Sequence, residues 1–132
     1  NKVGVDKWKN PTTTTPKLKT IDEYDVECVR LDEWLEQNNI NDVIDFLKID
    51  TQGHDLEVIK SLGDKIENVK EITAEVQIVE TEVYKNSSKR KNLLKYMKER
   101  GFSIWKIQPW SHNQEQNIWF TNDRYNDYLH LQ

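Results

Sequence analysis

Residues 46–60 read FLKIDTQGHDLEVIK, and this stretch decides the fold. An apolar run ends on a carboxylate, Asp50, and passes through a glycine turn at Gly53. It then enters a segment whose apolar residues, Leu56, Val58, Ile59 and Leu62, recur at helical spacing. That order is strand, turn, helix. In an open α/β sheet, ligands bind just outside the carboxyl ends of the strands. An ionisable residue followed by a flexible turn at such an end is therefore a candidate site.

Working outward, residues 43–49 form a strand apolar enough for burial on both faces, as in a parallel sheet. The helix over 55–62 stops at Gly63. Upstream, Val26 and Cys28 suggest a brief extended piece. Asp32 opens a short helix with Leu31, Trp34 and Leu35 on one side, ending at Asn38 and Asn39. Downstream, residues 70–79 alternate Ile72, Ala74, Val76 and Ile78 with Thr73, Glu75 and Gln77, the period of a strand. A helix over 88–100 is capped by Gly101, and strands follow over 102–107 and 117–121, joined by a polar connection. The order predicts an α/β sheet, parallel at first and finished by an antiparallel pair. Residues 1–25, with Pro11, four threonines from Thr12 to Thr15, and Pro16, read as an irregular arm on which Trp8 is a docking candidate. Residues 26–132 read as one unit.

A chain of 132 residues suits one domain, and 36% hydrophobic with 32% charged residues describes a soluble protein with a polar skin. No apolar run approaches the roughly 18 residues of a membrane span, and no signal-peptide pattern opens the sequence. One cysteine, Cys28, excludes an internal disulfide and fits a reducing, cytoplasmic setting; it reads as a small core residue. The net charge of −4 argues against nucleic acid as a partner. Lys89, Arg90, Lys91, Lys95, Lys98 and Arg100 form one basic helix face, read as solvated, with phosphate contact as the alternative. Asn86-Ser87-Ser88 fits the glycosylation pattern, which without a secretion signal reads as accidental. Asn1 in place of methionine suggests a processed product or a fragment.

Side chains two apart on a strand share a face, so Lys48 and Asp50 project together, as do Glu75 and Gln77. If the two strands are neighbours, four polar groups gather at one end of the sheet. They form either a structural ion pair or the floor of a polar cleft. Gly53 lets a ligand approach bare backbone, and the amides of residues 52–55 lead into a helix N-terminus that attracts negative groups. Asp55 reads as the helix cap. His54 is of a residue type suited to general-base work, but a lone turn histidine is more often a solvent-exposed bystander than a catalyst. Trp105, Trp110 and Trp119 read mainly as packing, with Trp110 the candidate to line a substrate pocket. No zinc-ligand spacing exists.

The wording of residues 46–60 resembles the Lys-Ile-Asp-x-Glu/Gln-Gly-x-Glu/Asp-Leu-Glu-Val-Leu signature of the FkbM-type methyltransferases. Residues 29–35, 71–84, 93–102 and 118–120 resemble further segments of that family in the same order, so the likeness spans about residues 26 to 122. The resemblance implies a Rossmann-like methyltransferase fold, S-adenosylmethionine as cofactor, and transfer to a hydroxyl of a sugar or polyketide-like acceptor. It further implies that Asp50, Thr51, Gln52 and Gly53 adjoin the cofactor or acceptor, and that Asp50, or less readily His54, orients or deprotonates the acceptor hydroxyl. Lys48, Asp55, Glu75, Gln77 and Trp110 stand as candidate substrate contacts.

The family's glycine-rich cofactor turn has no counterpart among Gly4, Gly53, Gly63 and Gly101. The chain therefore reads as the C-terminal half of the domain. Its signature strand would be an exposed edge, covered by the missing N-terminal half or a dimer partner. The alternatives are a non-catalytic α/β interaction module or degenerate relative, and, more weakly, a magnesium-dependent phosphotransferase using Asp50.

Overall fold

The computed structural model describes residues 22–78, 88–109 and 115–126. Helix α1 (Leu31–Gln37) leads to strand β1 (Ile44–Lys48) and helix α2 (Asp55–Lys60). A 3-10 turn (Gly63–Asn68) follows, then β2 (Val69–Gln77), helix α3 (Arg90–Glu99) and the pair β3 (Phe102–Pro109) and β4 (Glu115–Asn122). The four strands lie in the order β1-β2-β4-β3. β1 and β2 are parallel, and β4 runs antiparallel to both β2 and β3. The mixed α/β sheet expected from the sequence is present, with β4 inserted between β2 and β3.

Alternation on β2 explains how the sheet is covered. Ile72, Ala74 and Val76 pair with Phe120, Ile118 and Gln116 of β4. Together with Ile49, the buried Leu56, Ile59, Leu35, Leu93 and Met97 of the helices close the core against that face. Buried methylenes contribute about 0.8 kcal/mol each, so this layer supplies the main drive to fold. The opposite face carries Thr73, Glu75 and Gln77, which register with Trp119, Asn117 and Glu115. Trp105 meets Trp119 edge-on at 6.5 Å, and the Lys106 ammonium lies 4.6 Å from the Trp119 ring centre. A register shift between Ile104 and Lys106 lets β3 place Trp105 there.

Several expectations change. Residues 26–30 form no strand, and Cys28 is exposed rather than packed, since its segment lies outside every regular element. Trp34 is 43% exposed, leaving Leu35 as the buried anchor of α1. The apolar β1 is not covered on both faces: Val43 and Phe46 are 45% and 51% exposed, because among the described residues it pairs only with β2. Gly63, at φ +53, opens a 3-10 turn instead of simply ending a helix. A Cβ there would sit 3.2 Å from a carboxylate oxygen of Asp32. The arm expected over residues 1–25 falls outside the described residues as far as 21.

Asn122 fastens the sheet to the 3-10 turn. It is 4% exposed, and its amide donates to the carbonyls of Glu67 and Val69 at 3.2 and 3.0 Å. Its side-chain carbonyl accepts from the Arg124 N–H at 3.1 Å. Asn122→Ala should cost about 2 kcal/mol by leaving buried partners unpaired. The denaturation midpoint of the full-length protein should fall while the slope of the transition stays constant.

Candidate functional site

The last ladder bond between β1 and β2 is the Ile49 N–H donating to the Thr73 carbonyl at 2.8 Å. Beyond it the chain leaves the sheet through Gln52 at φ +56 and Gly53 at φ +100. The glycine adopts this conformation freely, whereas a side chain in the left-handed region costs about 1–2 kcal/mol. The turn must therefore be held. Asp55 holds it. One carboxylate oxygen accepts from the Thr51 N–H at 2.8 Å and the Thr51 hydroxyl at 2.6 Å. The other accepts from the Glu75 N–H at 2.7 Å. That N–H is the next donor on the side β1 has vacated, so the carboxylate replaces a strand carbonyl. A buried charge is tolerated only when hydrogen-bonded in this way.

The remaining candidates divide into rim and interior. Lys48 and Asp50 form a 3.6 Å ion pair with side chains 64% and 48% exposed, and Gln52 donates its amide to Asp50 at 3.1 Å. Such a pair adds little stability in solvent, leaving both groups accessible to a ligand. Thr51 is exposed, and His54 is half-buried at the residue preceding α2, where its side chain makes no cap. Gly53 is fixed from outside: its carbonyl accepts from the Ser88 N–H at 2.9 Å, while the Ser88 hydroxyl donates to Glu57 at 2.7 Å. Asp55, read from the sequence as a cap and a substrate contact, is 2% exposed and does not cap its helix. Both of its oxygens are committed within the protein. Trp110 lies outside the described residues.

Inside the rim sit Glu75, Gln77 and Glu115, each at most 9% exposed. Gln77 registers with Glu115, and Glu75 with Asn117 one pair away. Burial pushes the Glu75 carboxyl up to about 7, reinforced by the charges of Glu115, Asp50 and Asp55 and opposed by Lys48. Burial likewise raises Glu115, with Asp50 and Asp55 adding to it. Sequence reasoning missed Glu115 because it seemed to belong to the polar connection. The signal was present in the alternation of Glu115, Asn117 and Trp119, which extends the last strand backward. Among the described residues, no group of three His, Cys, Asp or Glu side chains is placed to hold a metal ion. A carboxyl that changes protonation near neutrality at a strand end can exchange a proton with a bound hydroxyl.

The family described as Methyltransferase FkbM domain matches residues 5–104. No curated protein and no solved structure matches the chain significantly.

Asp55→Ala should destabilise the protein by about 3 kcal/mol, since the buried Glu75 N–H and the two Thr51 donors lose their acceptor. Glu75→Gln should act in the opposite direction, in a pH-dependent way. The carboxyl titrates near 7 when folded, against 4.5 for its ordinary value. Wild-type stability therefore falls as pH rises between these values, by up to about 3 kcal/mol. Thermal melts should show the variant gaining above pH 7 and matching wild type below about pH 4.5.

Proposed function

The chain belongs to the FkbM methyltransferase family, and from that premise we propose that the protein transfers a methyl group from S-adenosylmethionine to a hydroxyl oxygen of a sugar or similar small acceptor. The observation that carries the reading is the convergence of Asp50, Glu75, Gln77 and Glu115 at the carboxyl end of the β1–β2 pair. In an open α/β sheet this end is where ligands bind.

The cofactor supplies an activated methyl on sulfur. Its methionine end carries an ammonium, and the exposed Asp50 carboxylate, with the backbone of Thr51, Gln52 and Gly53, fits such a group. Lys48 and Gln52 orient the carboxylate. Asp55 holds the turn still, so the chemistry rests on positioning. Gln77 is an acceptor contact, and His54 is the secondary candidate to move a proton. A glycine-rich cradle for the nucleoside is not among residues 1–132, and we assign it to polypeptide that pairs with the edge of β1 left unpaired among the described residues, this chain being the C-terminal half of a Rossmann-like sheet. The half-exposed Phe46 on β1 and Val43 just before it support that assignment. The same strand edge, unpaired among the described residues, favours one other reading, a non-catalytic module that docks a partner chain.

Methyl-labelled S-adenosylmethionine, incubated with the full-length protein and a panel of free hexoses, separates the two. The enzyme reading expects label on a sugar oxygen, with Asp50→Ala lowering turnover about tenfold or more. No transfer, or transfer indifferent to Asp50→Ala, contradicts it. Calorimetry should show tight cofactor binding to the full-length protein and weak or no binding to residues 1–132 alone.

A further inference from the structure

β2 presents two buried polar side chains on the face away from the helices, two residues apart. Thr73 is 3% exposed, and its hydroxyl oxygen is buried without a hydrogen-bond partner. Glu75 is 9% exposed, and among the described residues its carboxyl makes no hydrogen bond. An unpaired buried hydroxyl is costly, and valine would fill the same shape without that cost. An unpartnered buried hydroxyl and a carboxyl side by side on one strand face suit a guest with hydroxyls of its own.

We propose that Glu75, rather than Asp50, is the catalytic residue that accepts the proton of the acceptor hydroxyl, with Thr73 binding the same acceptor and Glu115 positioning and tuning Glu75. This deepens the proposed function and rests on it. In the step, the acceptor O–H bond breaks toward a Glu75 oxygen while the acceptor oxygen forms the new O–C bond to the methyl. The S–C bond breaks, its electron pair stays on sulfur, and the cofactor leaves as a neutral thioether. Charge balances, because the sulfonium cation and the carboxylate anion both become neutral.

The placement favours Glu75 over Asp50. Asp50 stands on the rim with its side chain 48% exposed, its carboxylate engaged by Lys48 and by the Gln52 amide. Glu75 lies inside, facing Glu115 on β4, Asp50 and Lys48 from the β1 side, and Asp55 from the start of α2. The acidic neighbours outweigh the single lysine and favour the carboxyl's taking up a proton, which is what a base at neutral pH requires.

The test uses the full-length protein, methyl-labelled S-adenosylmethionine and the hexose panel, together with carboxyl-carbon NMR of glutamate-labelled protein without ligands. Glu75→Gln should lower kcat about 100-fold or more, with the acceptor KM within about threefold. Wild-type kcat should rise with pH through the Glu75 titration, and Glu115→Gln should move both that limb and the NMR midpoint to lower pH. Thr73→Val should raise KM while leaving thermal stability equal or higher, which no purely structural role would do. Glu75→Gln turning over within threefold of wild type, or an NMR midpoint for Glu75 in the ordinary carboxylate range, overturns the assignment while leaving the methyltransferase reading intact. A wild type that methylates no hexose defeats that reading and this assignment together.

Discussion

The Asp55 carboxylate is the interaction on which the rest of the site depends. Where β1 leaves the sheet, β2 still has a backbone donor facing the gap, and the turn beyond β1 contains a residue in a strained left-handed conformation. One side chain resolves both problems by accepting from Glu75 and from Thr51. A neutral acceptor would do this less well, because hydrogen bonds to an ionised carboxylate are shorter and about twice as strong. The consequence reaches past local stability. Fixing the Glu75 backbone fixes where its side chain begins, and fixing Thr51 fixes the rim that carries Asp50.

The same carboxylate has an electrostatic effect. It lies beside two other acids, and its field helps to push both Glu75 and Glu115 upward. The structural tie and the chemical tuning are therefore one group acting twice. Desolvation still comes first among the causes, so burial on the helix-free face is what makes the smaller charge effects matter there. Lys48 opposes the rise at Glu75 only, as the smallest of the causes acting there.

Much of this was legible in the sequence where a period was available to read. The alternation from Ile72 to Gln77 gave β2 and its two faces, and the FLKIDTQG run gave β1, its end and its turn. What was not legible depended on partners distant in the chain. Asp55 looks like a cap because caps are local, whereas its second oxygen serves a donor twenty residues downstream. Glu115 looked like a loop residue until its pairing with Gln77 placed it in a strand. Gly63 looked like a helix stop, and only the 3-10 turn that follows shows why a left-handed residue is needed beside Asp32. Cys28 and Trp34 were read as packed because apolar residues usually are, but burial requires a neighbour as well as a preference.

The excess of acid over base at this strand end has a further consequence under the proposed function. A methyl donor of the S-adenosylmethionine type brings a sulfonium and an ammonium against one carboxylate, so an acidic strand end favours its net positive charge. Its arrival next to Asp50 would offset the repulsion that keeps a proton on Glu75, because a nearby cation stabilises the ionised form. Cofactor binding and loss of the Glu75 proton are then linked, each favouring the other by the same free energy. A carboxyl poised near neutrality in the free protein would become a carboxylate once the donor is seated, when the acceptor hydroxyl needs somewhere to send its proton.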